Sequence, residues 1–375
     1  MNKRNFIKNA AAAGVSAYFC NLDAFGITTI NNMNKQDNLK PGELEARHWL
    51  DTPRGIKCLI CPNECTLKEG ELSVCHNRIA RDGKLFTMAY GNPCAVNIDP
   101  VEKKPLLHFF PGSLSFSIAT AGCNFACLNC QNWEISQTSP TKTRNFDAKP
   151  EKVVSQAVLE KCKSIAYTYS EPTTFFEYMI DTATIAKHRG IKNVMVSNGY
   201  INPEPLVELC KVIDAANIDL KTFDPIIHLK LTAGKLDPVL TSLKTFKDQG
   251  VWLEITNLLI PDWTDNFDQI TRMCDWLAKE GFSDYPLHFS RFHPQHKLTR
   301  LPATPLHALT RAKDIALKSG LKFVYIGNVP GIGGEDTYCP NCKILLVKRK
   351  GYEIEQNLMT GNRCPKCQNA VPGRW

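Results

Sequence analysis

The sequence predicts an α/β chain centred on a partial (β/α) TIM-type barrel of six to seven parallel strands. A small Cys-rich N-terminal region and a C-terminal zinc-ribbon-like module flank it. Three observations carry this. Strand-like apolar runs alternate with amphipathic helical stretches from Leu114 onward, the pattern of repeated β-α units. Gly190, Gly250, Gly281 and Gly320 each stand between a helical stretch and the next strand, where helix C-caps belong. No Gly-x-Gly-x-x-Gly follows the first strand, which argues against a doubly wound dinucleotide fold.

In chain order, residues 1–25 have a signal-like pattern. Lys3, Arg4 and Lys8 precede the apolar run Ala10 to Phe19. Lys3-Arg4-Asn5-Phe6-Ile7-Lys8 also resembles a twin-arginine export signal with Lys in the first Arg place. Cys20 follows, but Phe19 is a poor residue for lipoprotein cleavage. Residues 26–46 are polar and Asn-rich, a linker, and residues 47–113 form the Cys-rich region. The barrel is expected over 114–330, with strands at Leu114–Thr120, Ser164–Tyr169, Asn193–Ser197, Ile218–Lys221, Val251–Ile260, Leu287–Phe292 and Phe323–Gly327. Helices are expected at Glu151–Cys162, Phe175–His188, Pro205–Ile213, Phe267–Lys279 and Leu306–Lys318. Residues 335–375 form the last module.

At 375 residues, with 43% hydrophobic and 22% charged residues, the composition is that of a globular chain. The net charge of +8 is scattered, so it reads as solvated surface, and nucleic acid is an unlikely partner. No stretch after the N-terminal segment is long enough to span a membrane. Of 16 cysteines, most fall in tight groups whose members are two or three residues apart, poor disulfide partners and good metal ligands.

The group Cys123-x3-Cys127-x2-Cys130 follows the first strand directly, on the loop where a barrel places its active site. Three thiolates can hold three corners of a four-iron cluster and leave the fourth iron open, an arrangement for chemistry rather than structure. Cys58-x2-Cys61-x3-Cys65-x9-Cys75 has four thiols and can close its own shell, around zinc or an auxiliary iron–sulfur cluster. Cys339-Pro340-x-Cys342 and Cys364-Pro365-x-Cys367, with 21 residues between them, read as a structural zinc site.

The cysteine triplet matches the cluster motif of the radical S-adenosylmethionine (SAM) superfamily. The wider string Gly122-Cys123-Asn124-Phe125 through Cys130-Gln131-Asn132-Trp133-Glu134-Ile135-Ser136 resembles the branch related to pyruvate formate-lyase activating enzymes. Within it the chain is most similar to the radical SAM member of the AmmeMemoRadiSam system, from about Cys58 to the C-terminus. This implies a [4Fe-4S] cluster on Cys123, Cys127 and Cys130. That cluster would cleave SAM reductively to a 5′-deoxyadenosyl radical, which abstracts hydrogen from a substrate. It also implies a low-potential electron donor, and a protein substrate or Memo-like and AMMECR-like partners.

Asn129 stands where the superfamily usually has an aromatic residue against the adenine. Glu171 occupies the place of the glutamate that follows two glycines and binds the SAM amine, though without those glycines; its other reading is that it opens the next helix. Ser197-Asn198-Gly199 resembles the loop near the SAM ribose and carboxylate, or is a plain turn. Asp219-x-Lys221 matches an element of activating enzymes; its other reading is an inner salt bridge. Arg291 and His293 are candidates for cofactor or substrate anions, with His288 on the other side of the strand.

Two other classes stay open at this level: a metal-binding interaction or electron-transfer protein with a non-catalytic barrel, and an RNA-modifying radical SAM enzyme. SAM and low-potential electrons are cytoplasmic resources, so the expected location is cytoplasmic, with twin-arginine export as the alternative.

Overall fold

A computed structural model describes residues 39–375. The signal-like segment 1–25, Cys20 and most of the 26–46 linker lie outside the described residues. The Cys-rich region is built from short strands: β1 (Leu44–Glu45), β2 (Trp49–Thr52), β3 (Gly55–Cys58), β4 (Thr66–Leu67), β5 (Arg78–Arg81) and β6 (Lys84–Thr87). They form two antiparallel three-stranded sheets, ordered β1-β6-β5 and β2-β3-β4.

The main sheet has eight strands: β7 (Ala95–Pro100), β8 (Leu114–Ala119), β9 (Ser164–Tyr167), β10 (Lys192–Ser197), β11 (Ala215–Asp219), β12 (Trp252–Leu259), β13 (Leu287–Arg291) and β14 (Val324–Gly327). From β8 to β14 all neighbours are parallel and follow one another in chain order. A doubly wound sheet would reverse direction partway; this one does not. The sheet is open, with β7 and β14 at its edges.

The antiparallel edge strand β7 is not among the strands read from sequence. It pairs with β8 residue for residue, from Ala95 opposite Ala119 to Pro100 opposite Leu114. Pro100 can close it because the last position of an edge strand needs no ladder donor. The strand expected at Ile218–Lys221 begins three residues earlier and ends two earlier, at Ala215–Asp219: its first part, Ala215-Ala216-Asn217, is too small and polar to stand out as an apolar run. Lys221 therefore lies beyond the strand. Helices at Phe267–Lys279 and Leu306–Lys318 fall where expected, and those at Pro150–Leu159, Phe176–His188 and Pro203–Cys210 differ at their ends. Gly190, Gly250, Gly281 and Gly320 all have positive φ, as the C-capping role requires.

Alternating residues divide the sheet into two faces. Ile165, Tyr167, Met195, Ile218, Leu253, Ile255, Leu287 and Phe289 join the helices in one large apolar core. The opposite face carries Ala166, Val194, Ala215 and Trp252, which pack on Val101, Leu106 and Phe109 from the segment linking β7 and β8. That segment covers one end of the inner face. Asn217, Glu254, Thr256 and His288 share this face and are buried, so the inner wall is polar.

The C-terminal module has β15 (Thr337–Tyr338), β16 (Leu345–Lys350) and β17 (Glu353–Asn357) in one antiparallel sheet. Leu346, Val347 and Val371 share a cluster with Leu107, Phe323 and Tyr325, which fastens the module to the β14 side of the main sheet.

Candidate active site

The loop leaving β8 turns at Gly122, whose φ is +98°. A β-carbon there would lie 2.4 Å from the Cys75 carbonyl oxygen and 2.5 Å from the Asn77 side-chain oxygen, so only glycine fits. Beyond it, Ala126 N–H donates to the Thr232 carbonyl at 2.8 Å and Leu128 N–H to the Leu231 carbonyl at 2.9 Å. Both acceptors lie at the end of the helix Pro225–Thr232. Phe125 is clasped between Tyr200, 4.8 Å away between ring centres, and His228 at 5.7 Å. Gly234 makes room for it, because a β-carbon there would lie 2.0 Å from the Phe125 ring. Asn132 Nδ2 donates to the Tyr169 carbonyl at 2.7 Å, and Gln137 Nε2 to the Phe125 carbonyl at 3.0 Å. The three thiols therefore project from a loop fixed on several sides.

The neighbouring strand ends converge on this loop. Asn198, just past β10, donates from Nδ2 to Asn124 Oδ1 at 2.8 Å and has the Cys123 sulfur 3.9 Å away. Lys221 pairs with Asp219 at 2.5 Å, and its charge opposes burial at Cys127. Burial pushes the Cys127 thiol up to about 12 and the Cys123 thiol well above its ordinary range. Ionising these sulfurs takes a bound metal to compensate the charge, so metal binding and proton release go together.

Glu171 has a different surrounding from a free ligand. One of its oxygens accepts from Thr173 N–H at 3.0 Å, the Thr173 hydroxyl at 2.7 Å and the Ser197 hydroxyl at 2.7 Å. The other accepts from Asn198 N–H at 2.8 Å. Glu171 caps the turn Pro172–Phe175 and holds the Asn198 loop in place. Burial pushes its carboxyl up, while those donors act the other way.

Arg291 does not join the group: its Nε donates to the Thr304 carbonyl at 2.8 Å, and it shares the strand parity of Phe289, which packs among the helices. His293 is exposed. His288 is buried and pairs with Glu254 at 2.7 Å. Asp99 at the end of β7 and Lys104 in the segment after it form a buried pair at 2.6 Å. Asp99 also accepts from the Tyr169 hydroxyl, and the Lys104 ammonium lies 4.6 Å from the centre of that ring.

Sequence reasoning missed Phe125, Asn132, His228 and Gly234. Phe125 and Asn132 carried a signal, being inside the string that resembles activating enzymes. The others act through contacts between segments far apart in the chain.

The two four-cysteine groups differ in spacing. Cys339, Cys342, Cys364 and Cys367 have all sulfurs within 4.8 Å of one another, with 3.6 Å between Cys339 and Cys367 and again between Cys342 and Cys364. A tetrahedral zinc with bonds of about 2.3 Å sets its sulfurs about 3.8 Å apart, so the set fits one ion. Cys58, Cys61, Cys65 and Cys75 line one narrow cavity together with Arg78 and Asn124.

Comparison with known proteins agrees with the central loop. The model of the radical SAM superfamily matches residues 117–277. An uncharacterized protein of Methanocaldococcus jannaschii is 47% identical over 294 residues, covering 78% of this chain and 87% of its own length. Pyruvate formate-lyase 1-activating enzyme of Escherichia coli is 25% identical over 200 residues, 52% of this chain and 75% of that protein. Among solved structures, a radical SAM methyltransferase from Sphaerobacter thermophilus superposes with a TM-score of 0.47 at 12% identity, over 58% of this chain and 67% of that one. The chain belongs to the radical SAM superfamily and is an enzyme of that class, in the branch related to pyruvate formate-lyase activating enzymes.

Proposed function

We propose that Cys123, Cys127 and Cys130 hold a [4Fe-4S] cluster at which SAM binds. The observation that carries this is the convergence of Asn198 and Lys221 on a thiol loop that is rigidly held after the first parallel strand. The residues present fit the group. Three unpaired thiols stand on one loop, and the Asn129 side-chain oxygen is buried beside Cys130 without a partner, an acceptor for a polar hydrogen of a bound ligand. When bound, the cluster supplies the electron that breaks a sulfonium carbon bond of SAM and so creates the radical that takes hydrogen from the substrate.

The protein's own groups bind and orient. Asn198 fixes the Cys123 side of the loop, and Glu171 acts on it at one remove by holding its backbone. The Asp219–Lys221 pair places a half-buried cation beside Cys127, where it favours the ionised form of that thiol and can meet a carboxylate. Arg291, pinned to Thr304, positions the loop after β13 rather than contacting SAM. The four C-terminal thiols hold zinc, which their spacing suits.

Relatedness to activating enzymes supports hydrogen abstraction from a partner protein. The resemblance to the AmmeMemoRadiSam enzyme supports action beside Memo-like and AMMECR-like partners. SAM and low-potential electrons are cytoplasmic, and we place the reaction there; no helix among the described residues is long and apolar enough to cross a membrane.

Calorimetric titration of SAM into anaerobically reconstituted protein tests the site. The native chain binds, and Cys123→Ala/Cys127→Ala/Cys130→Ala loses affinity by at least about 100-fold, since the chelating iron is gone. Equal affinity in the two would show that SAM does not bind at this loop.

A further inference from the structure

We propose that Cys58, Cys61, Cys65 and Cys75 hold a second iron–sulfur cluster, of the four-iron type, which delivers electrons to the catalytic loop. All four thiols are unpaired and line the same cavity. Among the described residues, the C-terminal set is the group whose sulfurs converge closely enough for a single ion. The N-terminal four do not converge on that scale. In this they resemble Cys123, Cys127 and Cys130, which likewise do not close on a single ion.

Position assigns the role. Gly122, next to Cys123, packs its bare α-carbon on the Cys75 carbonyl, with no space for even a methyl group between them. Asn63, between Cys61 and Cys65, donates to the carbonyl of Asn124 at 2.9 Å, and Asn124 also lines the thiol cavity. The two sulfur sets thus share a wall of one residue's thickness. Arg78 lies in the same cavity wall, 1% exposed, its guanidinium paired with Glu177 through two contacts of 3.0 Å. Ser73 Oγ lies 3.1 Å from the Cys75 sulfur, near enough to donate to it.

In the proposed step, a low-potential electron-transfer protein of the iron–sulfur or flavin class is oxidised by one electron, and that electron passes through this centre to the catalytic loop. No bond is made or broken in the transfer and no proton moves. The relay role rests on the radical SAM reading of the Cys123 loop; the presence of the cluster does not.

The test uses the full chain, reconstituted anaerobically with iron and sulfide, with metal and sulfide counts and electron paramagnetic resonance after reduction. Cys123→Ala/Cys127→Ala/Cys130→Ala is expected to keep about four irons and about four sulfides and to give a reduced-cluster signal. Cys61→Ser/Cys75→Ser in the otherwise native chain is expected to fall from about eight irons to about four. This second variant keeps the test decisive if the first does not fold. Iron absent from the triple variant, or one zinc in place of iron at the N-terminal set, overturns the proposal. If the triple variant keeps its iron while the native protein does not bind SAM, the cluster stands and the catalytic reading fails.

Discussion

At Gly122 the backbone has a φ of +98°, and any side chain would run into the Cys75 carbonyl 2.4 Å away. Two penalties therefore act together on Gly122→Ala, a left-handed backbone and an overpacked contact with main-chain atoms. They cost about 2–4 kcal/mol together. The expected outcome is a lower melting temperature and at most about half the native iron content, because Cys123 follows directly on the displaced residue. Native iron content and stability in this variant would show that the loop has slack that its contacts do not suggest. At this scale the cysteine groups stood out by their spacing, and Asn198 was a candidate by the resemblance of its loop, with a plain turn as the other reading. Glu171 was legible as a position, but not as a carboxylate already satisfied by Thr173, Ser197 and Asn198. Hydrogen-bond saturation depends on neighbours that a local sequence window does not contain.

Glu254 on β12 ties several segments together. It accepts from the backbone N–H of Leu107 and His108 at 3.0 and 2.7 Å, and from His288 at 2.7 Å. His108 in turn reaches the Pro372 carbonyl at 2.7 Å and the Tyr325 hydroxyl at 2.5 Å, so a neutral imidazole satisfies both contacts. Burial holds His108 down to about 4, and the charge on Glu254 offsets only part of this. The unfolded chain therefore binds this proton first. Stability from His108 is complete above its ordinary value of 6.5 and falls as the pH drops from there toward 4. Glu254, held below its ordinary value by His288 and His108 against its own burial, loses stability in the same direction at lower pH. Thermal melts should show a loss of about 2 kcal/mol between pH 7 and pH 5, and His108→Gln should flatten that slope while lowering stability overall. Parallel profiles for the two proteins would contradict the assignment. These ties were not legible, because Glu254 sits in a strand whose apolar neighbours mask it. The edge strand β7 was missed for a related reason: Val96 and Ile98 alternate with polar residues, but six residues ending in proline give a weak signal.

Across the whole molecule, three sets of cysteines occupy three separate places in the fold. The C-terminal four close on one another on a module fastened to the β14 side of the sheet. The N-terminal four stand against the catalytic loop. The central three lie at the end of the first parallel strand, with Asn198 and Lys221 from its neighbours beside them. The strand–helix alternation made the parallel sheet legible, since each unit repeats the same local pattern. A partial barrel was expected and the sheet is open, with the antiparallel β7 added at one edge. The proposed reaction is cleavage of SAM at the Cys123 loop. Anaerobic incubation of the reconstituted full chain with SAM and a strong reductant, followed by chromatography for 5′-deoxyadenosine and methionine, tests it most directly. Both products are expected in equal amounts from the native protein and none above background from Cys123→Ala/Cys127→Ala/Cys130→Ala; undiminished 5′-deoxyadenosine from the triple variant would show that SAM is cleaved elsewhere.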